Sequence, residues 1–506
     1  MLNGIIVTFT TLLNAVFGMI EVSVFLKYYG ATVNGLIQTG NQILNYLALI
    51  EAGLSAAYLY KMYKPMADND YKTLSEYYTG FKKNMTKTVN LMLIAAVVVS
   101  AIYPFFLKNE RLGYINVLSI FILMSLKVIL PYKVTMVPKY MLIVHEQKYK
   151  AEFISGLCRS VTYLTEMLII VIVNDCSIDM PVQVILFCDV LIAYITGILF
   201  DISMKKIYGE KLNPKAKPNS APNKMSKDIL VHNISSMVFS STDNVIISTM
   251  GSLEEVTVYS SYNMVVGQVI ELAQKFMDGT TASLGIKIAH HDKNSYDVYR
   301  EMMAGSFWLA GIIGTVFIAM MNSFVELWIG KRYCVSLIDL FLFGLVLYCG
   351  IILPCIQTAR NACGLYKESK KFTAIQAVMN LVITIVLVPS TGITGALLGT
   401  VIARITITVP CNYNLVNKKV FPENNSHWIE LILSYVLYLF MAYGIYNFVR
   451  FIPTFRAPKI IIFLTDTGIV MLISMFVYSI YYWIINTGFR EFIFRLQGML
   501  KNIIDT

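Results

Sequence analysis

Fourteen ionisable residues stand inside stretches that are otherwise apolar: Glu21, Glu51, Lys127, Lys133, Lys139, Arg159, Glu166, Asp189, Asp243, Glu271, Lys275, Asp278, Arg360 and Arg404. A charge at the centre of a membrane-spanning helix costs about 2.5–3.5 kcal/mol on insertion scales, so each is expected to face the protein interior or a water-filled cavity. Lys127 falls about midway along its stretch. Arg159 falls about ten residues, roughly 15 Å, into the next one. Both therefore lie near the midplane on adjacent antiparallel helices. Sheltered cations suit an anionic group, which Arg binds bidentately. They also suit interhelical ion pairs, for example Arg159 with Glu166 or Asp189. Lys133 is six residues from Lys127, about 240° round a helix, so one face cannot present both. Glu51 and Asp278 are each followed by small residues. Such carboxylates relay protons or cations, or cap and pack the helix where it approaches a neighbour. Lys275 is expected to pair with Glu271 one turn away.

The elements that must position these groups follow from composition. The chain has 506 residues, of which 56% are hydrophobic and only 14% charged, with a mean hydropathy of +0.62. Soluble domains carry about 25% charged residues. Apolar stretches recur along the whole length, many reaching the roughly 20 residues that cross a bilayer core of about 30 Å. In lipid such stretches must satisfy their own backbone groups, so they are expected to be helices. Fourteen spans are predicted, at 4–27, 33–60, 85–107, 114–144, 150–173, 181–204, 228–250, 256–286, 299–328, 335–362, 370–388, 393–416, 428–449 and 459–487. The first is read as a retained membrane helix, because it is too long for a signal peptide and lacks a positive leader.

Loop charges orient the spans. With the N-terminus cytoplasmic, the inner loops and tail hold 26 Lys and Arg and the outer loops 8. Both termini are then cytoplasmic, and the net charge of +10 reflects membrane topology rather than nucleic-acid binding. A Pro-, Asn- and Lys-rich segment at 208–227 reads as a flexible cytoplasmic linker. It separates an N-lobe (1–207, spans one to six) from a C-lobe (228–418, spans seven to twelve). An extra helix pair follows (428–487, spans thirteen and fourteen), then a cytoplasmic amphipathic tail (488–506) with Phe489, Phe492, Ile493, Leu496, Leu500 and Ile503 on one stripe.

The two lobes echo one another. Ile129-Leu130-Pro131 in span four matches Ile352-Leu353-Pro354 in span ten. Glu51-Ala52-Gly53-Leu54-Ser55-Ala56 matches Asp278-Gly279-Thr280-Thr281-Ala282-Ser283. Lys148-Tyr149-Lys150 matches Lys370-Lys371-Phe372. Six spans per half, an even number, make this a parallel repeat of the transporter kind, with the substrate path between the halves. Pro131 and Pro354 are expected to kink their helices, and in a rocking transporter a kink is a candidate hinge.

The first hundred residues carry further pattern: Lys27-Tyr28-Tyr29-Gly30-Ala31-Thr32-Val33-Asn34-Gly35-Leu36, then Glu51-Ala52-Gly53-Leu54, then Asp70-Tyr71-Lys72-Thr73-Leu74. The second half adds Pro354, Asn361-Ala362-Cys363-Gly364-Leu365-Tyr366-Lys367 and Thr391-Gly392-Ile393-Thr394-Gly395-Ala396. Over roughly residues 1–420 this resembles the Wzx-type polysaccharide flippases of the multidrug/oligosaccharidyl-lipid/polysaccharide exporter superfamily. Glu51 departs from the Asp usual there. The resemblance implies a two-lobed, V-shaped, all-α integral membrane fold of about 14 helices. It also implies export of an undecaprenyl-diphosphate-linked oligosaccharide across a bacterial cytoplasmic membrane by alternating access. Lys127, Arg159, Arg404 and Lys133 would then contact the diphosphate-bearing substrate, Glu51 and Asp278 would couple ions, and Pro131 and Pro354 would be hinges. Membrane lipids, a polysaccharide polymerase and chain-length proteins are the implied partners.

Other classes fit less well. A cation-coupled multidrug antiporter of the same superfamily would have twelve spans and fewer cations in the first half. A membrane glycosyltransferase or polymerase would carry catalytic residues on a large outer loop, and every outer loop here is about 5–10 residues. No Gly-rich phosphate loop occurs, which argues against ATP-driven transport within this chain. The eight cysteines are scattered without a CxxC, and His290-His291 lie in a charged loop. No cofactor, metal site or enzyme activity is expected.

Overall fold

The computed structural model describes residues 2–107, 112–175, 181–222, 242–289, 294–363, 365–421, 428–449 and 458–504. Among these there are only helices and the turns that join them. Eleven are long and apolar enough to cross a membrane. The first, α1 (Leu2–Ala67), must cross twice: its 58-residue apolar part would extend about 87 Å if straight, nearly three bilayer cores. The break falls at Gly30, whose φ of 78° is readily adopted only without a Cβ. The architecture is an all-α membrane fold of about fourteen crossing helices. Most of the expected seventh span lies outside the described residues.

Two compact units divide the chain at Thr257/Val258. The first is built on α1, α2 (Tyr71–Ile102), α3 (Tyr114–Ile129), α4 (Tyr132–Val144), α5 (Lys148–Asp175), α6 (Pro181–Tyr208) and α7 (Asp243–Met250). Pro131 stands where α3 gives way to α4. There it accepts from the amides of Val134 and Thr135 and so starts the new helix. Phe25, Tyr58, Phe81, Phe121 and Met124 lie in the unit's buried core.

The expected flexible linker is in part a docked strap. Up to residue 222 it lies against the C-terminal part of α1 and the N-terminal part of α2. Asn219 donates its amide to the Glu76 carbonyl (3.0 Å) and its carbonyl accepts from the Tyr58 hydroxyl (3.0 Å). Asn84 donates to Ser220 (3.2 Å), and the Asn213 amide donates to Ser75 (2.9 Å). The approach is close at Gly80, where a Cβ would lie 2.1 Å from the Asn219 carbonyl oxygen. Polar composition favours solvent in general, but these Asn and Ser side chains find fixed partners.

The second unit contains α8 (Leu253–Ala289) from residue 258 on, α9 (Ser295–Trp328), α10 (Leu337–Ala362), α11 (Tyr366–Thr391), α12 (Ile393–Ala403), α13 (Val409–Lys419), α14 (Trp428–Val449), α15 (Lys459–Ile485) and α16 (Thr487–Ile504). Pro354 lies inside α10. The helix α9 is the hub. Its glycines leave room for aromatic rings: a Cβ at Gly311 would sit 2.5 Å from Tyr478, at Gly314 2.6 Å from the Tyr438 hydroxyl, and at Gly305 2.8 Å from Phe492. The extra pair α14–α15 and the tail α16 are thus seated on the second unit by small-residue packing. The amphipathic tail uses its stripe for this, burying Phe489 and Phe492 and leaving Phe494 exposed.

Candidate functional site

The first unit holds a polar cluster among its apolar helices. Lys127, in the last turn of α3, places its Nζ 3.0 Å from Glu166 Oε1 on α5 and 2.7 Å from Asp189 Oδ2 on α6. The carboxylates are nearly sealed, with 9% and 1% of their side-chain surfaces exposed, while Lys127 keeps 30%. A third carboxylate, Glu21 on the first arm of α1, feels the charges of Glu166, Lys127 and Asp189. Three carboxylates therefore share one ammonium. With every group ionised the cluster would carry an excess of two negative charges in a medium that penalises each strongly. A bound proton or cation relieves that excess.

Lys127, at 2.7 Å from Oδ2, is the one cation that meets Asp189 among the described residues. Glu166 accepts a hydrogen bond from Lys127, at 3.0 Å.

Arg159, Tyr163 and Glu166 share a face of α5 by helical spacing. Tyr163 feels the charges of Arg159, Glu21, Glu166 and Lys127, and Arg159 itself is exposed. On α5, Leu157, Val161, Leu164 and Leu168 form a separate exposed apolar stripe, as lipid contact requires. Arg159 lies off that stripe, two turns from Glu166. Lys127, rather than Arg159, takes Glu166 and Asp189.

The remaining candidates are dispersed. Lys133 lies beyond Pro131 and lines a different cavity of the first unit. Glu51 is buried and accepts from Ser55 one turn on. The side chain of Asp278 is outside the described residues, as is that of Lys275. In the second unit, Arg404 donates to the Val346 carbonyl at 3.0 Å and opens a π-helical turn, Arg404–Thr408. Thr408 in that turn bonds to Gln376 of α11. Arg360 donates to Asn412 at 3.0 Å. A widened turn of this kind commonly marks a functional position, and nothing in the local sequence announces it.

A second cavity, about 590 Å³, lies in the second unit where α9 meets α14 and α15. Phe307, Ile429, Leu433 and Ile485 give it apolar walls, with Arg300, Glu430 and Asn486 at its polar side. Arg300 is held by Glu491 of the tail at 2.9 Å, and Asn486 donates to Glu430 at 2.8 Å.

The fold is shared with solved transporters. The lipid II flippase MurJ in its inward closed conformation superposes with a TM-score of 0.68 at 16% identity, covering 94% of this chain and 99% of that one. An inward-facing multidrug resistance MATE family transporter of the MOP superfamily gives 0.67 at 10% identity, covering 82% and 98%. A Vibrio cholerae MATE transporter in its bent form gives 0.50 at 12% identity, covering 83% and 97%. No family model matches the sequence, and neither does any curated protein. This chain has the fold of the MOP-superfamily transporters.

Proposed function

We propose that this protein is a flippase that moves an undecaprenyl-diphosphate-linked oligosaccharide from the cytoplasmic to the outer leaflet of a bacterial inner membrane, by alternating access, with both termini cytoplasmic. The observation that carries the reading is the extent of the fold. The likeness to the lipid II flippase runs through 94% of the chain. The likeness to the MATE transporter leaves almost a fifth uncovered, about what the final helix pair and tail occupy. That pair walls the 590 Å³ cavity of the second unit, whose apolar sides and polar edge suit a lipid-linked molecule better than a small solute.

In this reading Arg159 and Arg404 are the substrate-contacting cations. Lys127 is the clamp of an acidic cluster. Glu21, Glu166 and Asp189 together are a stronger candidate for the coupling-ion site than Glu51 and Asp278, because their charge is under-compensated. Pro131, at a helix boundary, is the better hinge candidate of the two prolines. A polysaccharide polymerase and chain-length proteins would act on the product. The second reading, a cation-coupled multidrug antiporter, draws on the MATE likeness and on the acidic cluster.

The test is made in cells that depend on this chain for surface polysaccharide. Arg159→Ala should abolish the polymer while the protein still inserts at normal abundance. Full polymer from that variant, or drug resistance conferred by the wild type without any effect on polysaccharide, would favour the second reading.

A further inference from the structure

Lys133 does not belong to the Lys127 cluster, and its surroundings have a different chemistry. It lines a cavity of about 250 Å³ on the outside of the first unit, together with Lys82 of α2, Tyr78, Val134, Pro138 and Asp201 of α6. That volume equals about eight waters at roughly 30 Å³ each, so it admits a phosphodiester. Asp201 is the one carboxylate of the lining, and it is engaged by Lys205 at 2.6 Å. Among the described residues neither Lys82 nor Lys133 has an ion-pair partner. Two ammonium groups thus line the cavity without an ion-pair partner among the described residues, and its one carboxylate is engaged by Lys205.

The depth of the cavity says which anion reaches it. Asp201 stands 20 residues from the start of α6 at Pro181, near 30 Å along the helix at about 1.5 Å per residue, the thickness of the hydrocarbon core; Lys133 lines the same cavity from beyond the α3–α4 break. The lining is therefore at headgroup level, on the side that the lysine-rich loops make cytoplasmic. The exposed stripe of α6 agrees. Leu191, Ile195, Ile198 and Ile202 face outward as lipid contacts, and the next turn is the exposed Lys205. Ile198 itself lines the cavity, so one wall continues directly into the lipid-facing surface.

We infer that this cavity is a binding site for the headgroup of an anionic glycerophospholipid of the inner leaflet, with the phosphate between Lys82 and Lys133 and the acyl chains along Val134 and Ile198. The assignment does not depend on what the protein transports.

Native mass spectrometry of the purified full-length protein tests the inference, with phosphatidylglycerol, phosphatidylethanolamine or phosphatidylcholine added and glycerol 3-phosphate as a soluble competitor. A juxtamembrane lysine contributes about fivefold to anionic lipid affinity, so the double variant Lys82→Gln/Lys133→Gln should bind phosphatidylglycerol about thirtyfold more weakly. The variant Lys82→Arg/Lys133→Arg keeps the charge and should retain the lipid. The zwitterionic lipids should remain weak for all three proteins, and glycerol 3-phosphate should compete poorly because it lacks the chains. Undiminished phosphatidylglycerol binding by the Gln variant, loss of binding in the Arg variant, or equal competition by glycerol 3-phosphate would overturn the assignment.

Discussion

Asp189 Oδ2 lies 2.7 Å from Lys127 Nζ, with 1% of the Asp189 side chain exposed. The pair is a buried charge-assisted contact at the junction of α3 and α6. Removing one member of a buried pair costs about 3–5 kcal/mol because the other is left uncompensated, and the partial exposure of Lys127 puts the expected loss toward or below the lower end. Lys127→Ala should therefore lower the thermal unfolding midpoint in detergent. Adding Asp189→Asn should restore part of the loss, since it removes the orphaned charge. A double variant no more stable than Lys127→Ala would show that the two residues are not coupled. Fluorescence-detected size exclusion after heating measures all four proteins of the cycle.

Asp70 caps α2. It accepts from the Thr73 amide at 3.0 Å, and the bonds it receives from the Thr73 side chain and backbone hold its carboxyl below the usual 3.8. The folded value is depressed, so the cap is in full effect above pH 3.8 and is lost as pH falls through the lower folded value. The start of α2 should be insensitive to pH from neutrality down to about that point. Asp70→Ala should speed amide exchange at residues 71–74 at neutral pH, and Asp70→Asn, which keeps an acceptor, should change it less. Equal protection in all three proteins would remove the cap from the account.

Gly80 admits the strap. A Cβ there would stand 2.1 Å from a backbone oxygen of Asn219, and backbone does not yield as a side-chain tip does. Gly80→Ala should unseat residues 213–222, so limited proteolysis should cut that segment faster, by an order of magnitude or more if the docked state is the protected one. Unchanged cleavage would mean that the strap is held elsewhere.

Gly311 on α9 faces the ring of Tyr478, with a would-be Cβ contact of 2.5 Å, and the Tyr478 hydroxyl is 3.0 Å from Thr315. Overpacking costs about 1–3 kcal/mol. Gly311→Ala should destabilise the protein by that amount, and Tyr478→Leu in the same chain should recover part of it. No recovery would show that the strain arises elsewhere than at this ring.

How much of this was readable in the sequence depends on the range of the interaction. Crossing helices announce themselves locally through apolar runs, and Gly30 sits where the charge pattern already required a turn between two spans. The partners of Lys127 have no such local mark. Glu166 and Asp189 are 39 and 62 residues away, and each looked like an isolated cost until three helices were brought together. By spacing alone Arg159 is an equally good partner for those acids, and the structure gives both of them to Lys127. The strap hides its contacts for the opposite reason: its polar composition predicts solvation, while the seat of residues 213–222 is made by Gly80, Asn84 and Ser75, which read as ordinary helix residues. The π-helical turn Arg404–Thr408 is met through Thr408 by Gln376, 32 positions earlier, and has no local signature.

Glu301 and Arg495 meet at 2.6 Å, with only 6% of the Glu301 side chain exposed. They are 194 residues apart. At about 5–20 residues per second, ribosomal synthesis separates their appearance by roughly 10–40 s. Through that interval α9 stands with an uncompensated acid and with its Gly305 notch unfilled. The hub helix of the second unit is thus made early but finished last. A chain shortened before Arg495 would present quality-control proteases with an open acidic notch at the N-terminal end of α9, where the chain with its tail presents a closed one.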